Sequence, residues 1–383
     1  MVPSNAVFKE LDDWGVLCQF LPDGWEQKAR ECGALTRARG IADAAALLRV
    51  LLIHLANGCS LVETSVRAQQ LGLGRLNSSA VYKRLRSSEY WLRWLAEQTR
   101  SSLGFAAPTE RRRVRAVDAT TVSEPGSTGT DWRIHYAINL ANLQCDFFSL
   151  TDAQGGETWR RFPVAPGDIL VGDRGYSTPV GVSHAKRTRN ARTAFRVVDA
   201  GGDVLLRLNR QSLPLFHADG KRLNPLAMAR QLQQDSQSAE CETHVPWPAW
   251  VQHPAGHWIP GRLIVVRRSR QATRLARQKL KREASKKQYT VSQESWEAAR
   301  YFFVWTTLPA SFARKQVLEL FRCRWQIELA FQRMKSLLAL GHLPKQNPDS
   351  SRAWLHGKLF VSLLVERLIG AAKTFSPWGY RLA

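Results

Sequence analysis

The chain has 383 residues, with 55 Lys and Arg against 32 Asp and Glu and a formal net charge of +23. That length accommodates two or three domains around a large core, and the positive excess predicts a polyanionic partner, nucleic acid above all where aromatics interleave with arginine. The six cysteines are scattered, with no CxxC pair and no His at ligand spacing, so zinc centres and disulfide frameworks are not expected and a reducing cytoplasm fits. The first residues lack a basic, apolar leader pattern. The most apolar run, 41–56, carries Asp43, Arg49 and His54 and is too short to span a bilayer.

Residues 7–103 read as helical, rich in Ala and Leu and punctuated by Gly58, Gly72 and Gly74. Ser60–Leu71, the turn Gly72-Leu73-Gly74 and Asn77–Arg86 outline a helix-turn-helix. Ser78, Ser79, Tyr82, Lys83 and Arg86 would then face a DNA groove, and SSEYWLRWL would continue as a packed helix. An ordinary helical hairpin in a bundle explains the same pattern. A boundary falls near Pro108 and Arg111–Arg113, giving a helical DNA-binding domain over 1–107.

VRAVDATTVS then reads as a β-branched strand carrying Asp118 at its carboxyl end. DWRIHYAINL and LQCDFFSLTDA follow at hairpin spacing as antiparallel partners. After a segment of mixed helical and turn character, GDILVGDRGY is another apolar strand, ending on Asp173 before Arg174, Gly175 and Tyr176. Residues 180–196 read as a helix with Lys186, Arg187, Arg189, Arg192 and Arg196, and DVLLRL as a further strand. An acid at a strand exit is often only a turn or cap residue.

Residues 210–300 are rich in Pro and Trp (Trp247, Trp250, Trp258), with strand-like GRLIVVRR and, just beyond, RYFFVWTT. Between Arg262 and Lys287 stand 11 basic residues and one acid, Glu283. Such a run is ordinarily a solvated or disordered loop. It also suits phosphate contacts, with Arg267, Arg268, Arg270 and Arg274 as candidates.

Leu320–Lys335, LFRCRWQIELAFQRMK, reads as one continuous amphipathic helix. Phe321, Arg324, Glu328 and Lys335 fall on one stripe, beside an apolar stripe of Leu320, Ile327, Phe331 and Leu338. A solvated charge ladder would explain the first stripe taken alone. Residues 353–369 form an apolar-faced helix with His356 and Lys358, which packing or DNA contact would explain equally. The short remainder predicts no long dimerisation tail.

Asp118, Asp173 and Glu328 together suit phosphodiester chemistry. Two hard divalent cations about 3.5–4 Å apart activate a nucleophile and stabilise the leaving oxygen, and Mg²⁺ takes carboxylate and water oxygens. Asp118 would bridge two Mg²⁺ (or Mn²⁺) ions, with Asp173 and Glu328 each holding one. Arg324 and Lys335 would contact the DNA backbone beside the scissile bond, with Phe321, Arg174 and Tyr176 also on the DNA-binding side.

These residues resemble the DDE transposases of the IS4 family of bacterial insertion sequences. That family's signature is Tyr, two residues, Arg, three residues, Glu, six residues, Lys. Phe321, Arg324, Glu328 and Lys335 keep the spacing, with Phe in place of Tyr. VRAVDATT and GDRGY match its two Asp motifs, and the likeness covers roughly 110–365 well. The resemblance implies an α/β RNase H-like catalytic domain (108–209 and 301–383), a mostly β insertion (210–300) and the N-terminal helical domain. It implies cleavage at the ends of the chain's own insertion sequence and joining of the 3′-hydroxyls to target DNA, through a hairpin intermediate. The partners would be double-stranded terminal repeats and target DNA, bound by a dimer without membrane involvement, in the cytoplasm at the nucleoid. In some relatives an aromatic near the end of the insertion stacks on a flipped base; Tyr301, Phe302 and Trp305 are candidates here, although alternating aromatics on a strand are usually core. Two other readings compete: a metal-dependent nuclease of the same fold without strand transfer, and a non-catalytic DNA-binding descendant. Retention of all three acids argues against the second.

Overall fold

Three side-chain caps set out the helical start of the chain. Asp43, Ser60 and Asn77 each accept a hydrogen bond from the amide three residues on, opening helices α3 (Ala44–Leu55), α4 (Leu61–Gln70) and α5 (Ser78–Ser87). They are preceded by α1 (Asp13–Cys18) and α2 (Trp25–Glu31) and followed by α6 (Glu89–Ser101). A computed structural model describes residues 13–102, 112–177, 194–235, 246–252, 257–344 and 346–372. The expected helical hairpin is present as α4 and α5. Between them Gly74, at φ +149°, comes so close to the Gly40 carbonyl that a Cβ would overlap it, which fixes the turn. The expected continuation into SSEYWLRWL is instead a separate helix, because the chain turns at Ser88.

Four strands follow: β1 (Val114–Val122), β2 (Trp132–Asn139), β3 (Cys145–Asp152) and β4 (Ile169–Gly172). After α7 (Ala194–Asp199) comes β5 (Asp203–Arg207). β1, β2 and β3 are antiparallel neighbours, whereas β1–β4 and β4–β5 are parallel pairs. Parallel strands are covered on both faces, and β4 reads accordingly, with all four residues buried. Beneath them, Arg115 is 1 % exposed and forks onto Asp146 through Nε (2.5 Å) and Nη2 (2.8 Å). Arg113 does the same to Asp168. A buried pair of this kind is expensive to break, so it pins β1, β3 and β4 in register at the end of β1 away from Asp118.

The region after β5 departs from the expected mostly β insertion. It holds short strands β6 (Leu215–Phe216), β7 (Arg222–Leu223), β8 (Trp247–Pro248), β9 (Val251–Gln252) and β10 (Trp258–Ile259), the longer β11 (Arg262–Arg267), and three helices: α8 (Pro225–Asp235), α9 (Arg270–Lys286) and α10 (Gln293–Ala298). Nor is it set apart from the sheet. β12 (Tyr301–Thr306) pairs with β5 and β11, giving one eight-stranded sheet in the order β3-β2-β1-β4-β5-β12-β11-β8. The densest basic run is no loop: its strand half is β11 and its longer half is α9, capped by Ser269.

Three helices close the chain: α11 (Arg314–Cys323), α12 (Trp325–Leu337) and α13 (Pro348–Ala372). Leu355, Leu359, Phe360 and Leu363 of α13 share a core with Leu47, Leu51, Trp91 and Leu95 of the N-terminal helices. Gly357 sits against Leu55, where a Cβ would lie 2.4 Å from Cδ1. The hydrophobic core therefore crosses the expected division at 107/108. His356 and Lys358 lie within it, 6 % and 2 % exposed, so packing accounts for both and neither presents a surface to DNA.

Candidate active site

Register places the first two acids. β1 runs four residues past Asp118, so the expected position at the strand's carboxyl end is corrected: Asp118 lies mid-strand, opposite Tyr136 of β2. Its other neighbour, β4, ends where Val117 pairs with Gly172. Asp118 and Asp173 are thus the next residues on adjacent parallel strands, one continuing and one leaving the sheet. Functional groups gather at such carboxyl ends because the backbone opens there. The Ala119 amide donates to Asp118 Oδ1 (2.8 Å), and Arg207 of β5 lies 3.7 Å from Asp173 Oδ1.

The third acid comes from a helix that is not continuous. α11 and α12 meet at Arg324, where the Arg324 amide bonds back to the Phe321 carbonyl and Ile327 to Arg324, both over three residues rather than four. α12 buries Ile327, Phe331 and Met334 against the sheet, with Phe331 5.9 Å from the Tyr136 ring. This turns Glu328 of its first turn toward Asp118. Arg324 joins the two, Nη2 at 2.5 Å from Glu328 Oε1 and Nη1 at 3.5 Å from Asp118 Oδ2. The break also corrects the expected single stripe. Phe321 belongs to α11, is 9 % exposed and packs edge-on against Phe302 at 5.3 Å. Lys335 is exposed on α12.

A fourth carboxylate stands beside these acids, and the sequence reading passed over it. Glu157 precedes a 3₁₀ turn at Trp159–Arg161 and lies against Gly175. Burial pushes the Asp118 carboxyl up to about 7, outweighing the Ala119 amide and Arg324, and the Glu157 and Asp173 charges push the same way. Glu157 is also raised, by burial first and then by Asp173, against the pull of Arg133. Burial and Arg207's cationic neighbours Arg174 and Arg324 hold the Arg207 guanidinium below its usual range, against the pull of Asp173.

The donors suit a hard divalent cation: they are carboxylate oxygens, and Asp173 Oδ1 is buried without a hydrogen-bond partner. Among the described residues no three His, Cys, Asp or Glu side chains converge closely enough to hold one ion in this arrangement. The Arg324 guanidinium fills the space between Asp118 and Glu328 instead.

The expected DNA contacts divide by burial. Arg174, Arg267, Arg270, Arg274 and Lys83 are exposed. Arg268 is half-buried, donating to the Tyr301 carbonyl (3.2 Å). Tyr82 is half-buried and its hydroxyl is 3.5 Å from Ser350 of α13. Tyr176, Tyr301 and Trp305 are 1 %, 3 % and 2 % exposed, which corrects their assignment to DNA: Trp305 donates to the Ala249 carbonyl and Tyr176 packs on Trp159. Of the three aromatics near the insertion's end only Phe302 remains open. Its ring lies between the Arg207 and Arg268 guanidinium groups (5.4 and 5.5 Å) and lines a cavity of about 510 Å³ with Arg267, Phe321, Arg324 and Trp325. Lys186, Arg187 and Arg189 lie outside the described residues.

The sequence model of the family described as "Transposase DDE domain" matches residues 109–364. Curated relatives include the protein described as transposase InsL for insertion sequence element IS186A of Escherichia coli strain K12, 32 % identical over 370 residues, 96 % of each chain. The transposase for insertion sequence element IS421 of Escherichia coli is 32 % identical over 371 residues, again 96 % of each. The chain belongs to the DDE transposase family, as its resemblance to the IS4-type enzymes implied. No helix among the described residues is long and apolar enough to cross a membrane.

Proposed function

We propose that this DDE-family enzyme is the transposase of its own insertion sequence, cutting DNA at the element's ends and joining the resulting 3′-hydroxyls to target DNA. The observation that carries the reading is the meeting of β1, β4 and α12: Asp118, mid-strand on β1, stands next to the exit of β4 at Asp173, while Glu328 shares Arg324 with Asp118. The sheet order β3-β2-β1-β4-β5, with its first three strands antiparallel and the rest parallel, supports an RNase H-like catalytic domain. Residues 1–107 would form the DNA-binding region, with α4 and α5 as its reading unit.

Asp118, Asp173 and Glu328 are the residues that would hold two Mg²⁺ (or Mn²⁺) ions. Such ions, when bound, activate the attacking oxygen and stabilise the leaving one. The protein's own work is to hold the acids on rigid strands and keep Asp118 partly dry. Arg324, released from Glu328, would turn to the phosphate, where its fork suits two oxygens. Lys335, Arg174 and the exposed arginines of β11 and α9 would run along the backbone on either side. Phe302, cradled by two guanidinium groups, would stack on a displaced base during hairpin formation, a contact worth about 1–3 kcal/mol. The active species would be a dimer on paired ends, at the nucleoid.

The test is a reaction of the purified chain, Mg²⁺, DNA carrying the sequences that flank its gene, and a target plasmid. Joined products with a short target duplication support a transposase. Cleaved ends alone indicate a nuclease, and intact DNA overturns the catalytic reading.

A further inference from the structure

The segment 157–159 docks onto the GDRGY motif through two glycines. Trp159 lies on Gly172, where a Cβ would sit 2.6 Å from the ring, and its indole nitrogen donates to the Tyr176 carbonyl (2.9 Å). Glu157 uses the second opening: a Cβ on Gly175 would overlap its Oε2. The conformation of Gly175 is not left-handed, so its missing side chain is explained by this approach of the carboxylate and not by backbone strain. The result is an acid from a connecting segment brought beside Asp118 on β1 and Asp173 at the exit of β4.

An independent observation points to something held there. The Tyr176 ring is wholly enclosed, packed at a tilt against Trp159 with centroids 4.9 Å apart, yet its hydroxyl has no hydrogen-bond partner among the described residues. The charges nearest in effect to that hydroxyl are those of Asp118 and Glu157. A buried phenol without a partner costs on the order of 1–3 kcal/mol. It is tolerated where a bound species completes it.

We propose that Glu157 is a fourth acidic residue of the divalent-cation site, admitted by Gly175, and that the Tyr176 hydroxyl is the donor that positions it when a cation is present. The assignment rests on the reading of Asp118 and Asp173 as cation ligands. Glu157 adds a carboxylate beside Asp118 and Asp173, and Tyr176 supplies the hydrogen bond that fixes the arrangement. Supporting residues of this kind typically change cation affinity by about 10–100-fold.

The experiment is a Mn²⁺ titration of the full chain without DNA, read as the rise in melting temperature, on wild type, Asp118→Asn, Glu157→Gln, Gly175→Ala and Tyr176→Phe. Gly175→Ala is the informative variant. Its Cβ meets only the far end of the Glu157 side chain, so the fold survives while the carboxylate is pushed away. Glu157→Gln and Gly175→Ala are expected to raise the Mn²⁺ concentration at half-effect by about tenfold or more, with Tyr176→Phe shifting it in the same direction. A wild-type midpoint for both Glu157→Gln and Gly175→Ala, while Asp118→Asn loses the effect, overturns the role of Glu157 alone. No Mn²⁺ effect on wild type, or an unchanged one in Asp118→Asn, overturns the cation site and this proposal together.

Discussion

Asp118 Oδ2 lies 3.5 Å from Arg324 Nη1, across 206 positions of sequence. The same guanidinium reaches Glu328 through its other nitrogen, so two of the three acids share one cation. On the proposed function, Arg324 and divalent cations would compete for the same oxygens. Arg324→Ala should therefore melt at a lower temperature than wild type in EDTA and gain more on addition of Mg²⁺. Equal gains in the two proteins would mean that Arg324 does not stand in the cations' way.

Removing one acid should separate chemistry from binding. Asp118→Asn, Asp173→Asn and Glu328→Gln are each expected to lower the cleavage rate by about 10³-fold or more, since a lost ligand forfeits several kcal/mol of charge stabilisation. DNA affinity in gel shift should stay within a few-fold of wild type, because the phosphate contacts proposed above fall on other residues. A variant that keeps its cleavage rate would remove that acid from the catalytic set.

Salt should report on the β11–α9 surface. Arg267, Arg270 and Arg274 are exposed, whereas Arg268 is tied to the Tyr301 carbonyl. Changing the three exposed arginines together to Gln should flatten the slope of log K against log salt by up to about 3, at roughly 0.9 per phosphate contact. An unchanged slope would show a solvated face with no part in binding.

Phe321 should behave as a core residue. It packs against Phe302 in a cluster with Val171, Leu205, Val304 and Val317. Phe321→Ala should cost about 3–5 kcal/mol of stability in urea denaturation. Phe321→Tyr, with room toward the adjoining cavity, should fold and change cleavage less than tenfold. A rise of orders of magnitude would instead identify a missing catalytic hydroxyl.

Lys358 offers a pH test remote from the acids. It is 2 % exposed over the Trp354 ring, and burial lowers its pKa from 10.5 to about 8. Between those values the unfolded chain holds more protons than the folded one, so this group makes stability rise with pH from about 8 to 10.5. Below that window the cost of a buried ammonium is present in full. Lys358→Met should be more stable at pH 7, by up to about 3 kcal/mol. The gap should close as pH rises through the window, and a constant gap would mean that Lys358 titrates normally.

Local pattern was enough to place Asp118 on a strand, Asp173 at a strand's exit, Glu328 on a helix, and α4 and α5 around a glycine turn. Strand alternation, apolar runs and caps are short-range properties, legible wherever neighbouring residues decide the backbone. Periodicity also ordered Ile327 and Phe331 onto a buried face. It did not reveal the break at Arg324, because two helices meeting end to end keep almost the same spacing as one. The apolar residues of GRLIVVRR marked the first part of the basic run as a strand, but net charge gave no sign that the remainder is the helix α9 and not a solvated loop. Tyr176, Tyr301 and Trp305 were aromatic in the right neighbourhood, but which side of a sheet is covered depends on elements distant in sequence. Glu157 had no local signature at all. Its place beside Asp118 follows from the docking of 157–159 onto Gly172 and Gly175, a contact between separate segments that exists only once β1 and β4 are side by side.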